Sequence, residues 1–442
     1  MRGRSIVVLM ALMTAGVVAA QAFGSVSSRA GKPLVLAAPA EVIAVIRANC
    51  QRCDWGASGR EAASLEVSVD AAYHSHVMLV REHEEADYRI LLGHLGRGQH
   101  HVTVAVDPSK TAAGIGAVHV RDVSFEIVGE QDARYEAVAH APILYARPNT
   151  IERFTDVPLL MWYETSFTSR GRQYRYSVIF SNEDGGTATD RLMATWGRTT
   201  DIEFVYGIEV DANGRTLAEE FQGPSHVVSP FRGRHDSGHP LELVITDNNM
   251  VTDAGSSGIR YAPAPEAFDL TNRSREAVMD AHPWTYRVTS EEMRREGKIA
   301  DQAKAGDGVI PDPRRYVFVE ACSELENAAL SFGVRVPGPD GARWYDSDRG
   351  RDDFRIVRTG CFRGGVPVPP GAVPPDAIRF RAWPHGGGGD TPAAPPRVKI
   401  TRVNSVFALG NDYLPAPSRF SWTGSLALAM DGAPVELTLR RP

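Results

Sequence analysis

The stretch YRILLGHLGRGQHHVTVAVD, Tyr88–Asp107, carries the pattern that decides the fold of this protein. Apolar and polar residues alternate on both sides of a Gly-rich segment, as they do in two β-strands that each bury one face. His94, His100 and His101 fall in the expected turn, where solvated side chains are more common than metal ligands. The same period recurs in LEVSVD, HVMLV and VSFEIV. Residues 40–130 are therefore predicted to form a small antiparallel β-sandwich.

The composition is that of a globular protein with more than one domain. The chain has 442 residues, whereas a single hydrophobic core usually stops growing near about 250–300 residues. Hydrophobic residues make up 43% and charged residues 23%, and 41 Gly with 29 Pro indicate many turns. The net charge is -6, with Lys and Arg scattered among acids. No nucleic-acid partner is expected, and a neutral or small ligand fits better.

The first residues have the pattern of an export signal. Arg2 and Arg4 precede an apolar run, and Ala20-Gln21-Ala22 has small residues at the two positions that a signal peptidase recognises. We therefore predict a signal peptide over residues 1–22. No later stretch approaches the roughly 18 apolar residues of a membrane-spanning helix. The expected mature protein is secreted or periplasmic and has no transmembrane segment.

The chain has four cysteines, and their spacing predicts two disulfides in an exported protein. Cys50 and Cys53 would form a tight local clip, and Cys322 and Cys361 would close a longer loop. The alternative for Cys50-Gln-Arg-Cys53 is half of a zinc site or a redox motif. No second Cys pair follows at ligand spacing and no βαβ pattern surrounds the motif, which favours the structural disulfide.

Two further blocks follow the first sandwich. Residues 137–300 contain strand patterns such as PLLMWYETSF and YRYSVIFSNEDGG, with expected hairpin turns at Asn213-Gly214 and Asp184-Gly185-Gly186. Helices are expected in TNRSREAVMD and in SEEMRREGKIADQAKA, where Ser290 would cap the second helix.

Residues 312–442 again show several strand patterns, interrupted by HGGGGDTPAAPP, which predicts a second β-sandwich with an exposed Gly/Pro loop. The predicted fold class is therefore mainly β and multi-domain. In this prediction β-sandwich domains flank a central β-rich domain that has a few short helices.

Two polar groups flank a predicted strand in GRHDSGHPLELVITDNNMVTDAG, residues 233–255. The first group could bind Zn²⁺ or a similar ion, because imidazole and carboxylate ligands suit such metals. The ligands would be His235, Asp236 and His239, together with Asp201, Glu203 or His226 on neighbouring strands.

The second polar group follows the same strand and could bind Ca²⁺ through oxygen ligands. It comprises Asp247, Asn248, Asn249 and Asp253. His239 and Asp247 would lie about 26 Å apart on an extended strand, so the two groups cannot share one ion. The alternative for both groups is that they are turns whose side chains cap their own loop backbone.

Two other patterns have a structural and a functional interpretation. In WYDSDRGRDD the alternating Asp346, Asp348 and Asp352 look like part of a calcium loop, but Arg349 and Arg351 favour an arginine-neutralised turn. Aromatic residues could form a face on which sugars stack, although burial in the sandwich cores is favoured. They are Trp162, Tyr163, Trp196, Trp284, Tyr286 and Trp383.

Several short motifs of the second block occur together: Ala-Pro-x-x-Tyr at 141–145, Asp201-x-Glu203, His226, and Gly-His-Pro at 238–240. In this combination the block resembles the vacuolar protein sorting-associated family numbered sixty-two, over about 150 residues. That family has Trp where this chain has Ile202, and a Ser-His pair where this chain has 248–250. The resemblance implies a β-rich exported or peripheral domain rather than a particular reaction.

These patterns support two functional hypotheses. In the first hypothesis the protein binds a carbohydrate ligand (a glycan) or another polymer of the cell surface. The second is a metal-assisted secreted hydrolase that uses Asp201, Glu203, His235 and His239. The sequence has none of the common nucleophile, zinc-protease or nucleotide-binding motifs, so whether the protein is an enzyme is left open.

Overall fold

A computed structural model describes residues 29–372, 374–385, 394–418 and 420–439. The predicted signal peptide and most of the Gly/Pro-rich loop lie outside these residues. The described chain is mainly β, with several separate sheets and a few short helices, which confirms the predicted fold class. No helix in these ranges is long and apolar enough to cross a membrane.

The first segment, residues 29–130, contains two antiparallel sheets. Its strands are β1 (Arg29–Leu36), β2 (Ala40–Cys50), β3 (Ser64–Val69), β4 (Ala72–Met78), β5 (Ala86–Leu95), β6 (Gly98–Val106) and β7 (Val118–Val128). One sheet has the order β1-β6-β3-β4, and the other has the order β5-β2-β7. Strand β1 begins upstream of residue 40, and its polar, half-exposed first residues explain why the apolar pattern did not reveal it.

The stretch Tyr88–Asp107 connects these two sheets. Strand β5 pairs with β2 and strand β6 pairs with β1 and β3, so the two strands are not hydrogen-bonded to each other. The turn between them carries the chain from one sheet to the other, and Gly98 has a φ of +143° there. Only glycine adopts this backbone conformation readily.

The second segment, residues 135–311, has a large and a small sheet. Its strands are β8 (Ile143–Tyr145), β9 (Pro158–Phe167), β10 (Arg172–Phe180), β11 (Ile202–Val210), β12 (Thr216–Gly223), β13 (Val227–Pro230), β14 (His235–Asp236), β15 (His239–Val244), β16 (Val251–Thr252), β17 (Arg260–Tyr261) and β18 (Pro265–Ala267). The large sheet has the order β13-β12-β11-β10-β9-β18. The small sheet has the order β14-β15-β8-β17, with β16 paired to β15.

The helices also lie in this segment. They are α1 (Tyr135–Ala139), α2 (Pro148–Arg153), α3 (Thr189–Trp196), α4 (Ala277–Ala281) and α5 (Trp284–Arg295). The predicted helix that starts at Ser290 was wrong in its bounds, because α5 begins after Pro283 and buries Ser290 within it. Proline is tolerated at a helix start, and Gly297 with a φ of +69° follows the end of α5.

Only one of the two expected hairpin turns connects paired strands. Asn213 and Gly214 lie between β11 and β12, with Gly214 at a φ of +76°, as predicted. Asp184-Gly185-Gly186 instead leads from β10 into α3. The prediction of a hairpin there was wrong because the same turn residues also suit a loop that precedes a helix.

The third segment, residues 312–439, again has two sheets. Its strands are β19 (Tyr316–Glu326), β20 (Ala328–Val336), β21 (Arg343–Asp346), β22 (Gly360–Pro367), β23 (Ala377–Pro384), β24 (Arg397–Ala408), β25 (Trp422–Leu428) and β26 (Val435–Thr438). The sheet orders are β22-β19-β24-β25 and β21-β20-β23-β26. Buried side chains from both sheets, including Val319, Leu330 and Phe380, form one apolar cluster.

Hydrophobic contacts continue between the segments. One buried cluster runs from the sandwich of the first segment into the sheets of the second. Another joins Trp162 and Ile202 of the second segment to Phe318 and Phe407 of the third. Beside it, the fully buried Arg363 donates hydrogen bonds to side chains of both segments, which are Glu320, Asp280 and Tyr286. These contacts fix the positions of the loops at the junction of the second and third segments.

Both predicted disulfides are present. The Cys50–Cys53 bridge joins residues three apart, and the Cys322–Cys361 bridge joins residues 39 apart on the paired strands β19 and β22.

We expect the longer bridge to contribute more stability, because it restricts a longer loop in the unfolded chain. Replacing Cys322 and Cys361 with Ala should lower the free energy of unfolding by about 4 kcal/mol, against about 2 kcal/mol for Cys50→Ala with Cys53→Ala. Guanidinium unfolding of the two double variants provides the comparison. An equal loss in the free energy of unfolding in both double variants would contradict the dependence on loop length.

Candidate functional site

A pocket of about 400 Å³ lies where loops of the second segment meet the third. We call it the Asp201 pocket. Loops that follow β10 and β15, the end of α3, the start of β11 and residues 358–361 contribute to its wall. Its polar lining includes the carboxyl groups of Glu183, Asp201 and Glu203, the guanidinium groups of Arg198, Arg275 and Arg358, and the side chains of Trp196, Gln222 and His226.

Asp201 and Glu203 form a buried carboxyl pair in the pocket. They flank Ile202 at the start of β11, so the alternation of a strand places both on the same side. Their side chains are only 1% and 7% exposed. Burial raises the pKa of Asp201 well above its usual range, and the neighbouring Glu203 raises it further. Burial also raises the pKa of Glu203, against the opposing effect of Arg198. Both effects favour a shared proton on the pair over two ionised carboxylates.

Glu183 adds a third carboxyl group to this wall. Burial, followed by the charge of Asp201, raises the pKa of Glu183 to about 8. The backbone N–H of Thr187 donates to Glu183 Oε1 at 2.6 Å and orients the group. At neutral pH Glu183 is thus mostly a protonated acid, which can donate a hydrogen bond to a ligand.

Asn249 connects the carboxyl pair to the loop after β10. Its Nδ2 group lies 3.2 Å from Asp201 Oδ2, 3.1 Å from the carbonyl oxygen of Asn182 and 3.4 Å from Asp156 Oδ1. Asn249 has a φ of +51°, a conformation that asparagine tolerates better than most residues. The buried amide of Asn249 therefore lies within hydrogen-bonding distance of two carboxyl groups and one backbone carbonyl oxygen.

Two glycines let the loops after β10 and β15 come together. A Cβ atom on Gly185 would lie 2.9 Å from Cβ of Asp247, and one on Gly186 would lie 2.8 Å from Cβ of Asn248. Gly186 also has a φ of +94°. Any larger residue would push Asn248 and Asn249 away from the pocket.

Arginines bring positive charge to the opposite side. Arg198 Nη2 lies 3.9 Å from Asp201 Oδ1, and Arg198 Nη1 donates to Glu276 at 3.3 Å. Arg358 donates to the carbonyl oxygen of Thr195 at 2.6 Å and lies 4.8 Å from the Trp196 ring. Burial lowers the pKa of Arg358 to about 10, so it stays charged at neutral pH.

Gln222 and His226 complete the outer edge. Gln222 Nε2 donates to Glu203 Oε2 at 2.5 Å, and His226 Nδ1 lies 3.8 Å from the same oxygen. His226 is 59% exposed. The edge of the pocket therefore places an exposed imidazole close to a buried acid.

Two histidines of the predicted zinc set, His235 and His239, do not reach this pocket. His239 is buried, with Nε2 3.0 Å from Glu41 of the first segment and Nδ1 2.9 Å from the carbonyl oxygen of Ala141. Glu41 also contacts His94. His235 lies 2.8 Å from Glu219, and Asp236 pairs with Arg260. The set thus separates into Asp201, Glu203 and His226 in the pocket and the other residues elsewhere.

The predicted calcium set is separated as well. Asp247 accepts a hydrogen bond from Arg147 at 2.6 Å, and Asp253 accepts one from the backbone N–H of Arg232 at 2.7 Å. Asn249 presents its amide hydrogens, not its oxygen, to the neighbouring acids. In the described chain, neither predicted metal set forms a group of three His, Cys, Asp or Glu ligand atoms within 4.8 Å of one another.

The acidic turn is structural. Asp346 pairs with Arg379 at 2.6 Å and Asp348 lies 3.6 Å from Arg355, so arginines other than the predicted Arg349 and Arg351 neutralise these two acids. Arg351 instead pairs with Asp353, and Arg349 donates to the carbonyl oxygen of Ala303. Trp162 and Tyr286 are buried in the cluster between the second and third segments. Of the aromatic residues considered for sugar stacking, Trp196 is the one that lines the Asp201 pocket.

A larger cleft of about 810 Å³ surrounds Arg147 and contains several charged residues. These charges pair with one another: Arg147 binds Asp156 and Asp247, and Lys298 binds Glu296. A ligand would have to compete with these ion pairs, whereas in the Asp201 pocket burial favours the neutral form of Glu183, which can donate a hydrogen bond to a ligand. We therefore take the smaller pocket as the candidate site.

Glu183, Arg198 and Arg358 were not singled out from the sequence. The signal for Glu183 lies in SNEDGG, where an acid precedes two glycines and a helix. Such a loop brings a helix start and its polar residues to the edge of a sheet. Arg358 lies 157 positions after Asp201, and no local pattern connects the two residues.

No protein-family model matches this chain, and no curated protein matches its sequence significantly. The resemblance of the second segment to the sorting-associated family stays a prediction. Of the motif residues that carry it, Asp201, Glu203 and His226 line the pocket, while His239 lies at the contact with the first segment.

The raised pKa of Glu183 predicts how stability depends on pH. Glu183 ionises near pH 4.5 in the unfolded chain and near pH 8 in the folded protein. Between these values the folded state binds more protons, so the free energy of unfolding falls as pH rises. The variant Glu183→Gln should reduce this decline in the free energy of unfolding by up to about 1.4 kcal/mol per pH unit.

Urea unfolding at intervals between pH 5 and pH 8 measures this slope. Asp211→Asn is the control, because Asp211 is an exposed turn residue whose pKa is lowered by the backbone N–H groups of Arg215 and Asn213. Asp211 is ionised in both states over this range, so its replacement should leave the slope unchanged. An unchanged slope in Glu183→Gln would show that Glu183 is ionised in the folded protein.

Proposed function

We propose that the protein binds carbohydrate, as part of a glycan or another cell-surface polymer, in the Asp201 pocket. The observation that carries this proposal is the combination of protonated carboxyl groups, guanidinium groups and one tryptophan in a preformed pocket of about 400 Å³. Such side chains supply paired hydrogen-bond donors and acceptors for sugar hydroxyls, and Trp196 supplies an apolar surface for a sugar ring.

The charge of the pocket favours a saccharide with an acidic group. Burial favours the neutral forms of Glu183 and Asp201, and Glu276 is paired with Arg198. Arg275 and Arg358 then leave the wall with an excess of positive charge. Guanidinium groups bind carboxylates through two parallel hydrogen bonds, which gives both affinity and orientation.

Export of the protein is part of this proposal, since surface polymers lie outside the cytoplasm. The two disulfides support it, because disulfides persist mainly in oxidising compartments. A secreted or periplasmic location would bring the Asp201 pocket to its ligand.

A glycan array followed by titration calorimetry tests the proposal. Arg275 is exposed at the rim of the pocket, so Arg275→Ala should leave the fold intact. The loss of one charge-assisted contact, about 1.5–3 kcal/mol, should weaken binding of acidic saccharides about ten- to a hundredfold.

The matched control is Arg234→Ala, which removes an exposed arginine outside the pocket and should leave affinity unchanged. Equal effects of both variants, or retention of no saccharide by the unmodified protein, would refute the proposal.

A hydrolase is the second candidate, and the Asp201–Glu203 pair favours it. One group of a buried carboxyl pair can remain protonated as a general acid while the other acts as a base or nucleophile. The metal-assisted form of this hypothesis fits less well, because His235 and His239 lie elsewhere and the Arg198 guanidinium 3.9 Å from Asp201 would repel a cation.

Incubation with the saccharides retained on the array separates the two candidates. If the protein is a hydrolase, Asp201→Asn should reduce product release at least a hundredfold while affinity changes less than tenfold, because an amide keeps the shape but cannot donate the catalytic proton. Release by the unmodified protein should also decline as pH rises and the buried pair loses the proton that general-acid catalysis requires. The absence of any product from bound saccharides would leave the binding function alone.

A further inference from the structure

We propose that Glu66, His76 and Asp107 of the first segment form a binding site for Zn²⁺ or a similar divalent transition-metal ion. One ligand atom of each residue lies within 4.8 Å of the others. In the described chain this is the only group of three or more potential His, Cys, Asp or Glu ligands that meets this distance. It lies in the first segment and uses none of the residues of the Asp201 pocket.

Strand pairing places the three side chains together. Glu66 on β3 is the direct cross-strand partner of His76 on β4. Asp107 follows β6, whose residue Val106 pairs with Leu65 of β3, and its backbone N–H donates to the carbonyl oxygen of Ser64. The site is thus built on three adjacent strands, β4-β3-β6, and a metal ion would join all three.

The distances between these groups suit a small cation. His76 Nε2 lies 3.2 Å from Asp107 Oδ2, and two ligands of a tetrahedral Zn²⁺ are about 3.4 Å apart when the metal bonds are near 2.1 Å. Glu66 would reach the same ion through a side-chain movement of about 1–2 Å. One imidazole and two carboxylates leave a fourth position for water or another ligand.

Neighbouring groups orient the ligands, and an ion would replace the direct contact between His76 Nε2 and Asp107 Oδ2. Asp107 Oδ1 accepts hydrogen bonds from the backbone and hydroxyl of Ser109, while Oδ2 faces His76. Glu66 Oε1 accepts from Ser68 at 3.3 Å. His76 Nδ1 lies 2.9 Å from the Tyr73 hydroxyl oxygen, which can accept a hydrogen bond from Nδ1–H when Nε2 binds a metal.

The burial of these residues also suits a metal. The His76 side chain is 4% exposed and that of Asp107 is 17% exposed, so an ion would enter from the side of the carboxylates.

The ligand chemistry indicates which ion binds. Imidazole nitrogen suits Zn²⁺ and related transition metals, whereas Ca²⁺ prefers six or more oxygen ligands. Because Tyr73 also accepts a hydrogen bond from the backbone N–H of Arg260, the site is connected to the second segment. Metal binding should therefore stabilise the contact between the first two segments as well as the sheet.

Calorimetric titration of the full chain, dialysed against EDTA, with Zn²⁺ alone tests the proposal. We expect one Zn²⁺ per chain with micromolar or tighter affinity, a higher melting temperature with Zn²⁺, and at least a hundredfold weaker binding of Ca²⁺. Glu66→Gln should weaken Zn²⁺ binding at least tenfold without lowering the melting temperature in EDTA.

The control is Asp122→Asn, an exposed acid on the other sheet, which should retain the affinity of the unmodified protein. His76→Asn should abolish binding, and Glu66→Gln decides the question if the His76 variant does not fold. Absence of stoichiometric Zn²⁺, or equal affinity in Glu66→Gln and the unmodified protein, would overturn the proposal.

Discussion

The geometry of the Asp201 pocket depends on one buried side chain, the amide of Asn249. It donates to Asp201, to the backbone at Asn182 and, at a longer distance, to Asp156. Removing a buried donor leaves its acceptors unsatisfied, which costs about 1–3 kcal/mol for each. The amide also joins the loops that follow β10 and β15, and Gly185 and Gly186 permit that approach. The positions of Glu183 and Asp201 therefore depend on Asn249.

The third segment is as necessary to the pocket as the sheet that carries Asp201. Arg358 and Cys361 form part of the wall, and they are held in place by the Cys322–Cys361 disulfide and the apolar cluster around Phe318 and Phe407. Pockets occur preferentially at such junctions, where polar groups from separate elements converge on a preformed cavity. The second segment alone would present Asp201 and Glu203 to solvent, where their pKa values would return towards the usual range.

Local patterns in the sequence predicted the features that depend on residues close to one another along the chain. The two-residue period predicted the mainly β fold, and Cys spacing predicted both disulfides. The alternation of a strand also implied that Asp201 and Glu203 share one side. Contacts between distant residues were not predictable in this way: His239 meets Glu41, 198 positions away, and Arg358 approaches the pocket from another sheet. Period and spacing do not determine which loops meet, because tertiary packing decides that.

The strand order of the second segment has a consequence for how the chain folds. Strand β18 closes the large sheet by pairing in parallel with β9, and β15 pairs in parallel with β8, although about 100 residues separate the members of each pair. Such non-local pairing requires the closure of long loops, which slows folding. The large sheet cannot be completed until residues 265–267 have emerged from the ribosome. While residues 168–264 are being synthesised, the nascent chain would therefore expose β9 as an unpaired edge strand, the condition in which a chain depends on chaperones.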